Sequence, residues 1–216
     1  MKLSELFGGS DAAPAEQFPD PAIDIAPDVT GTPQAAVLGG GCFWCTEAVF
    51  VKLDGVIGVM SGYAGGTADT AEYQAVCSGA TDHAEVIRVR FDSSRISFGQ
   101  ILKVFFAIAH DPTHLNRQGN DIGRQYRSAV FYENEDQRRV SEAYIKQLDD
   151  TKVFSSPIVT TLEALEQFFE AEDYHQNFVA RNPSQPYVAA VAMPKVKKLE
   201  KAFKDKLKTQ RQERKI

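Results

Sequence analysis

The pattern of apolar and polar positions changes character near Gln34. Residues 1–33 show no sustained period, and five of the chain's ten prolines fall there, at positions 14, 19, 21, 27 and 33. Proline fixes φ and removes a backbone donor, so this stretch predicts an extended or mobile arm outside the core. Ala35 to Leu38 then predicts a short buried strand that runs into Gly39-Gly40-Gly41, and Thr46 to Leu53 predicts a helix. Val56 to Ser61 predicts a strand, ended by a loop over Gly62 to Gly66. In Ala84 to Phe91 the alternation is regular: Ile87, Val89 and Phe91 share one face, with Arg88 and Arg90 on the other. Ser97 and Gln100 form a capping-box pattern ahead of a helix whose apolar face is Phe98, Ile101, Leu102, Phe105 and Ala109. Tyr126 to Tyr132 predicts a strand, Glu135 to Leu148 a helix with a polar face, and Pro157 to Leu162 a last strand. Strands that read as antiparallel, mixed in order with helices, predict one α+β domain.

Composition narrows the class without naming a function. Of 216 residues, 43% are apolar and 25% charged, ordinary values for a globular chain able to bury a core without staples. No run approaches the ~18 apolar residues of a membrane span. Met1 to Ser10 lacks an apolar run of signal-peptide length, so the expected location is cytoplasmic. Charge is uneven. Lys195 to Ile216 carries ten Lys/Arg against three Asp/Glu, a local +7 in a chain of net charge −5. Val196, Leu199, Phe203 and Leu207 recur there at three- and four-residue steps, which predicts a solvated terminal helix packed on the domain rather than a nucleic-acid surface.

The chemistry concentrates at Gly39-Gly40-Gly41-Cys42-Phe43-Trp44-Cys45. Three cysteines are too few for a secreted disulfide framework, and two of them only three residues apart point to reactive thiols in a reducing compartment. Glycines permit a sharp turn, and a helix starting after them would aim free N–H groups at the Cys42 sulfur and favour its thiolate. Cys45, one turn on, is within disulfide reach of Cys42. Phe43 and Trp44 beside a nucleophile suggest a small apolar pocket suited to a methyl or thioether; plain core packing is the alternative for both. Cys77 alone reads as a buried small hydrophobe.

Gly41-Cys42-Phe43-Trp44 resembles the signature of the A-type peptide methionine sulfoxide reductases. Further blocks match in order: Gly55-Val56 with Ser61 to Gly66; Tyr73, Val76 and Gly79 with Thr81 to Glu85; His110 to Thr113; Asn116 to Asp121; Gln125 to Ser128; Ala171 to Gln176; Pro186 to Val188; and Pro194 to Val196. Together they span about residues 34 to 205, which divides the chain into an arm (1–33), a catalytic domain (34–205) and a basic tail (206–216). The resemblance implies a two-layer sandwich around a mixed sheet with long loops. It implies reduction of the S epimer of methionine sulfoxide, free or in oxidised proteins, with no cofactor and with thioredoxin as reductant. Cys42 would attack the sulfoxide sulfur and become a sulfenic acid. Glu85 would donate a proton to the oxygen, its pKa raised by burial. Tyr73 and Tyr126 would hold that oxygen, Asp121 would support the site, and Phe43 and Trp44 would hold the methyl. The expected protein is a monomer without nucleic-acid or membrane partners.

Two departures from the family pattern bear on this. Asp82 stands where glycine is frequent, placing a carboxylate three residues from Glu85. No cysteine follows Cys77, so resolution by a C-terminal cysteine is closed; Cys45, where relatives commonly have glycine, is the expected resolving residue and Cys77 the runner-up. One rival is a general CxxC dithiol–disulfide oxidoreductase, which leaves the tyrosines and Glu85 without a task. A second is a zinc module of Cys42 and Cys45 with His83, His110 or His114. For these histidines and His175 the default is a hydrogen-bonded structural role.

Overall fold

The computed structural model describes residues 13–28 and 30–209. Its strands are β1 (Gln34–Gly40), β2 (Val56–Ala64), β3 (Ala84–Phe91), β4 (Arg117–Gln118), β5 (Asp121–Ile122), β6 (Ser128–Tyr132), β7 (Thr161–Ala164) and β8 (Phe168–Glu170). Six of these form a mixed sheet in the order β7-β6-β1-β3-β2-β8, and β4 with β5 make a separate small hairpin. Neighbours in the large sheet are antiparallel except the β6–β7 pair, which is parallel.

Alternation on β3 organises the core. Ile87, Val89 and Phe91 are fully buried on the face that also receives α1 (Phe43–Phe50) and α3 (Phe98–Val104), while Arg90 is exposed. Ala84 and Val86 pack on the opposite face with Val37, Ala64, Ala129 and Phe131 in a smaller cluster. A strand's period of two therefore puts Glu85 on the helix-bearing face, at the end of the row Ile87-Val89-Phe91. Each large apolar side chain fully buried in that layer contributes about 1.5–3 kcal/mol. The result is the expected α+β single domain.

Local signals placed several ends correctly. Ser97 accepts from the Gln100 N–H while the Gln100 side chain returns to the Ser97 N–H, completing the capping box, and α3 continues through a π turn, Phe105–Ala109. Helix α4 (Glu135–Thr151) starts at an Asn134 cap, whose side chain accepts from the Gln137 N–H. The terminal stripe is real as far as Phe203: α6 (Met193–Ala202) buries Val196 and Leu199, but Leu207 lies beyond the helix and bridges to Leu53. Residues 210–216 of the basic tail lie outside the described residues.

The expectation of an arm outside the core fails for its second half. Ala15 and Phe18 are buried, and Phe18 packs edge-on against Phe154. Tyr144 donates to the Pro19 carbonyl at 2.9 Å, and the Asp24 carboxylate accepts from the Gly99 N–H at the start of α3. Prolines keep this stretch out of long helices and ladders, leaving a 3-10 turn at Ala15–Gln17, but do not prevent packing. Residues 1–12 of the arm lie outside the described residues.

Candidate active site

The chain leaves β1 through a turn that only glycine tolerates. Gly41 has φ +81°, and a side chain there would meet Gln118 Cβ at 2.5 Å. Gln118 is immobilised by paired bonds with the Asp111 backbone, at 2.9 and 3.0 Å. Cys42 follows as the N-cap of α1, and its carbonyl accepts from the Cys45 N–H at 3.1 Å. The helix thus begins three residues earlier than Thr46, with Phe43 in its first turn.

The free N–H of Phe43 donates to Glu85 Oε2 at 3.1 Å. That contact corrects one expectation: a first-turn donor expected at the Cys42 sulfur serves the neighbouring carboxyl. Burial pushes the Cys42 thiol well up from its ordinary range, with Cys45 and the Glu85 charge adding to the effect. Cys45 moves the other way, down to about 7. The hydrogen bond from the Cys42 thiol is the main cause, burial opposes it, and the Lys195 charge and Tyr187 assist. Helix position alone does not make Cys42 a thiolate, because desolvation outweighs it.

Glu85 is 2% exposed. Burial pushes its carboxyl up to about 8; the charges of Asp121 and Cys45 add to this, and the Phe43 N–H works against it. At neutral pH it holds a proton. Asp82 is not among the groups that shift it: this side chain turns to the surface and pairs with Arg124.

Two phenols close the site from other elements. Tyr73 opens the short helix α2 (Tyr73–Cys77), with its N–H held by Glu172 Oε1 at 2.8 Å. Tyr126 ends a 3-10 turn, Arg124–Tyr126, just after the β4–β5 hairpin. Both lie within electrostatic range of Glu85 and Cys42, and burial raises both so that they stay protonated donors. Hydrogen bonds from both reach the thiol of Cys77, which burial pushes up. Phe43, 1% exposed, packs against Tyr63 and His175. Trp44 is partly exposed, stacks on Phe178 at 3.6 Å, and donates from Nε1 to His175 Nδ1 at 3.0 Å.

The structure therefore gathers Cys42, Cys45, Glu85, Tyr73, Tyr126 and Asp121 around the start of α1, with Trp44 as a wall. Sequence reasoning missed three supporting residues. Glu172 accepts from the Tyr63 hydroxyl as well as the Tyr73 N–H, and Tyr187 donates to Asp121 Oδ2 at 2.8 Å. These two lie inside the blocks Ala171–Gln176 and Pro186–Val188, which was their only signal. Glu47 is the third, the one charged residue in the octet of α1. His175 has the hydrogen-bonded role expected of it, fixing Trp44. His83 and His110 hydrogen-bond to backbone carbonyls, and burial pushes His110 down to about 3. Among the described residues no three His, Cys, Asp or Glu side chains come together as a metal site, and no helix is long and apolar enough to cross a membrane.

Comparisons with known proteins point to one family. Residues 34–207 match the family model of peptide methionine sulfoxide reductase. The chain is 49% identical over 196 residues to peptide methionine sulfoxide reductase MsrA 2 of Synechocystis sp., covering 89% of this chain and 91% of that one. It is 51% identical over 175 residues to the MsrA of Saccharolobus solfataricus, covering 81% and 97%. Among solved structures, reduced Mxr1 of Saccharomyces cerevisiae is similar with a TM-score of 0.66 at 30% identity, covering 77% of this chain and 94% of that one. Methionine sulfoxide reductase A of Corynebacterium diphtheriae gives 0.62 at 30%, covering 81% and 90%. The chain belongs to the peptide methionine sulfoxide reductase family, and its chemistry is thiol-dependent reduction of methionine sulfoxide rather than general disulfide exchange.

Proposed function

We propose that this protein reduces the S epimer of methionine sulfoxide, free or within oxidised proteins, by the following division of labour. Cys42 Sγ attacks the sulfoxide sulfur while the Glu85 proton passes to the oxygen. Methionine departs, the oxygen stays on Cys42 as a sulfenic acid, and the proton from the Cys42 thiol replaces the one Glu85 gave up. Tyr73 and Tyr126, held protonated, exchange their bonds to Cys77 for bonds to the substrate oxygen. Asp121 supports the site, and Trp44, backed by buried Phe43, meets the methyl. Cys45 then condenses with the sulfenic acid, releasing water and leaving a Cys42–Cys45 disulfide. Thioredoxin reduces this disulfide by thiol–disulfide exchange. No cofactor beyond these thiols enters the cycle.

The observation that carries this reading is Glu85: a carboxyl 2% exposed, pushed up to about 8 by burial, that accepts the backbone N–H next to Cys42. The three free cysteines fit a reducing compartment, and we place the protein in the cytoplasm as a monomer that engages neither nucleic acid nor membrane. We assign catalysis to residues 34–205, with 206–216 as a basic tail. The test is one turnover with methionine S-sulfoxide followed by mass spectrometry. Wild type should release one methionine and link Cys42 to Cys45, whereas Cys42→Ser should release none while keeping its fold. Methionine released by Cys42→Ser would overturn the assignment, and a Cys42–Cys77 link would move the resolving role.

A further inference from the structure

Cys45 has a difficulty that its position creates. It is 1% exposed, so water at neutral pH is no ready base for its sulfur. In the resting protein the main support for its ionised form is the hydrogen bond from the Cys42 thiol. Oxidation of Cys42 to the sulfenic acid removes that S–H donor at the moment when Cys45 must attack. The thiolate is the attacking form, so another group has to take the Cys45 proton.

One side chain touches the Cys45 sulfur and leads away from it. Cys45 Sγ donates to Tyr187 Oη at 3.7 Å, and the Tyr187 hydroxyl donates to Asp121 Oδ2 at 2.8 Å. The bonds run head to tail, from thiol to phenol to carboxylate. We propose that Tyr187 and Asp121 are the proton path that turns Cys45 into a thiolate as it attacks the Cys42 sulfenic acid, a step that rests on Cys45 being the resolving cysteine.

The step balances. The Cys45 proton passes to Tyr187 Oη as the Tyr187 proton passes to Asp121. Cys45 Sγ bonds to Cys42 Sγ, the sulfenic S–O bond breaks, and the departing hydroxyl takes the Glu85 proton and leaves as water. Both sulfurs end in the disulfide, and the proton on Asp121 restores the count lost at Glu85. Burial and the neighbouring thiols strongly disfavour a Tyr187 phenolate, so its proton leaves only as another arrives. The Asp121 charge works against a Cys45 thiolate, and protonating Asp121 removes that opposition. The other charged or titratable groups facing Cys45 are Cys42 at the N-cap and Lys195 on α6, with Glu85 on β3 within electrostatic range. Lys195, anchored to the Ala109 carbonyl at 2.6 Å, stabilises the thiolate but has no proton vacancy to accept one. The Tyr187 ring also lies edge-on to Trp44, so Tyr187→Phe keeps the packing and removes only the hydroxyl.

The test is rapid-quench single turnover with methionine S-sulfoxide, following methionine release, dimedone-labelled sulfenic acid and Cys42–Cys45 disulfide in the same samples. In Tyr187→Phe, disulfide formation should fall ~10²-fold relative to methionine release, as for loss of a general base. Sulfenic acid should accumulate, and the disulfide rate should climb with pH toward wild type as hydroxide substitutes for the path. Asp121→Asn, close in volume, should give the same pH profile. Disulfide formation at the wild-type rate in Tyr187→Phe would overturn the proposal, as would release and disulfide formation slowing in equal measure, which marks a structural role. A Cys45→Ala arm separates the underlying reading: an intramolecular disulfide formed there at the wild-type rate means that Cys45 does not resolve, and the path falls with it.

Discussion

The first and second turns of α1 each meet a buried carboxyl, and the two behave differently. Glu85 reaches the first turn from β3, and Glu47 belongs to the second turn itself. Both are 2% exposed, and burial raises both, to about 8 and about 7. Their surroundings diverge. Glu47 Oε1 accepts the Asn177 N–H at 2.9 Å; the Phe178 N–H and the Arg181 charge also favour its ionised form. Glu85 has one donor, the Phe43 N–H, and its charged neighbours Asp121 and Cys45 oppose ionisation. The contrast shows that burial marks a perturbed carboxyl, but what lies against it decides its use. Glu47 clips the segment that carries Phe178, hence the ring stacked on Trp44. Glu85 faces the sulfur and the two phenols.

The sharpest way to break this comparison is to neutralise each carboxyl. Glu85→Gln should lower the single-turnover rate ~10²–10⁴-fold, the usual loss of a general acid. In wild type that rate should fall about tenfold per unit as pH rises above about 8, where Glu85 loses its proton, and the variant should lack this limb. Glu47→Ala should instead cost about 1–3 kcal/mol of stability, because the N–H groups of Asn177 and Phe178 lose their buried acceptor. Its kinetic effect should fall on KM, through the loosened Trp44 wall, more than on the chemical step. Equal losses in the chemical step would erase the distinction. Next in size are the phenols: Tyr73→Phe and Tyr126→Phe should each slow the first turnover about tenfold, the value of a hydrogen bond to a charged group. Each donor partly covers for the other, so the double variant should lose more than either alone in quenched-flow measurements.

How much of this was legible in the sequence depended on range. The alternation of Ile87, Val89 and Phe91 on β3, the Ser97–Gln100 box and the α4 start are local signals, whereas the place of Glu85 at the end of that row emerges only in the structure. Helices α2 and α5 (Phe178–Arg181) have five and four residues, too few for a 3.6-residue period to show. Strand β8 exists because Phe168–Glu170 pairs with Gly62–Ala64, a partnership across more than a hundred residues. Ordered family blocks supplied Cys42, Tyr73, Tyr126 and Asp121, but the contacts among them carry no spacing signal. Tyr187 meets Cys45 from 142 positions away. The thiolate expectation for Cys42 failed for a related reason, since a helix start is visible in sequence and the burial that outweighs it is not.

The smallest effect separating the two carboxyls is where each stops costing stability. Well below pH 4.5 both are protonated in folded and unfolded chains alike, so neither matters. As pH rises past the ordinary carboxyl value, the unfolded chain releases protons that the folded protein keeps. Stability then falls, by at most about 1.4 kcal/mol per group per pH unit. The fall ends once the folded carboxyl also ionises, near 7 for Glu47 and near 8 for Glu85. Other groups titrate in this range, notably His110, His175 and Cys45, so the absolute curve mixes several terms. These groups are common to wild type and variants, and differences cancel most of their contribution. Urea unfolding of wild type, Glu47→Gln and Glu85→Gln between pH 5 and 9 should show each variant gaining on wild type as pH rises. The Glu47→Gln advantage should level first, about one unit before that of Glu85→Gln. An advantage for Glu85→Gln that is flat across the range would mean that Glu85 ionises at an ordinary carboxyl value and cannot hold its proton for the sulfoxide oxygen.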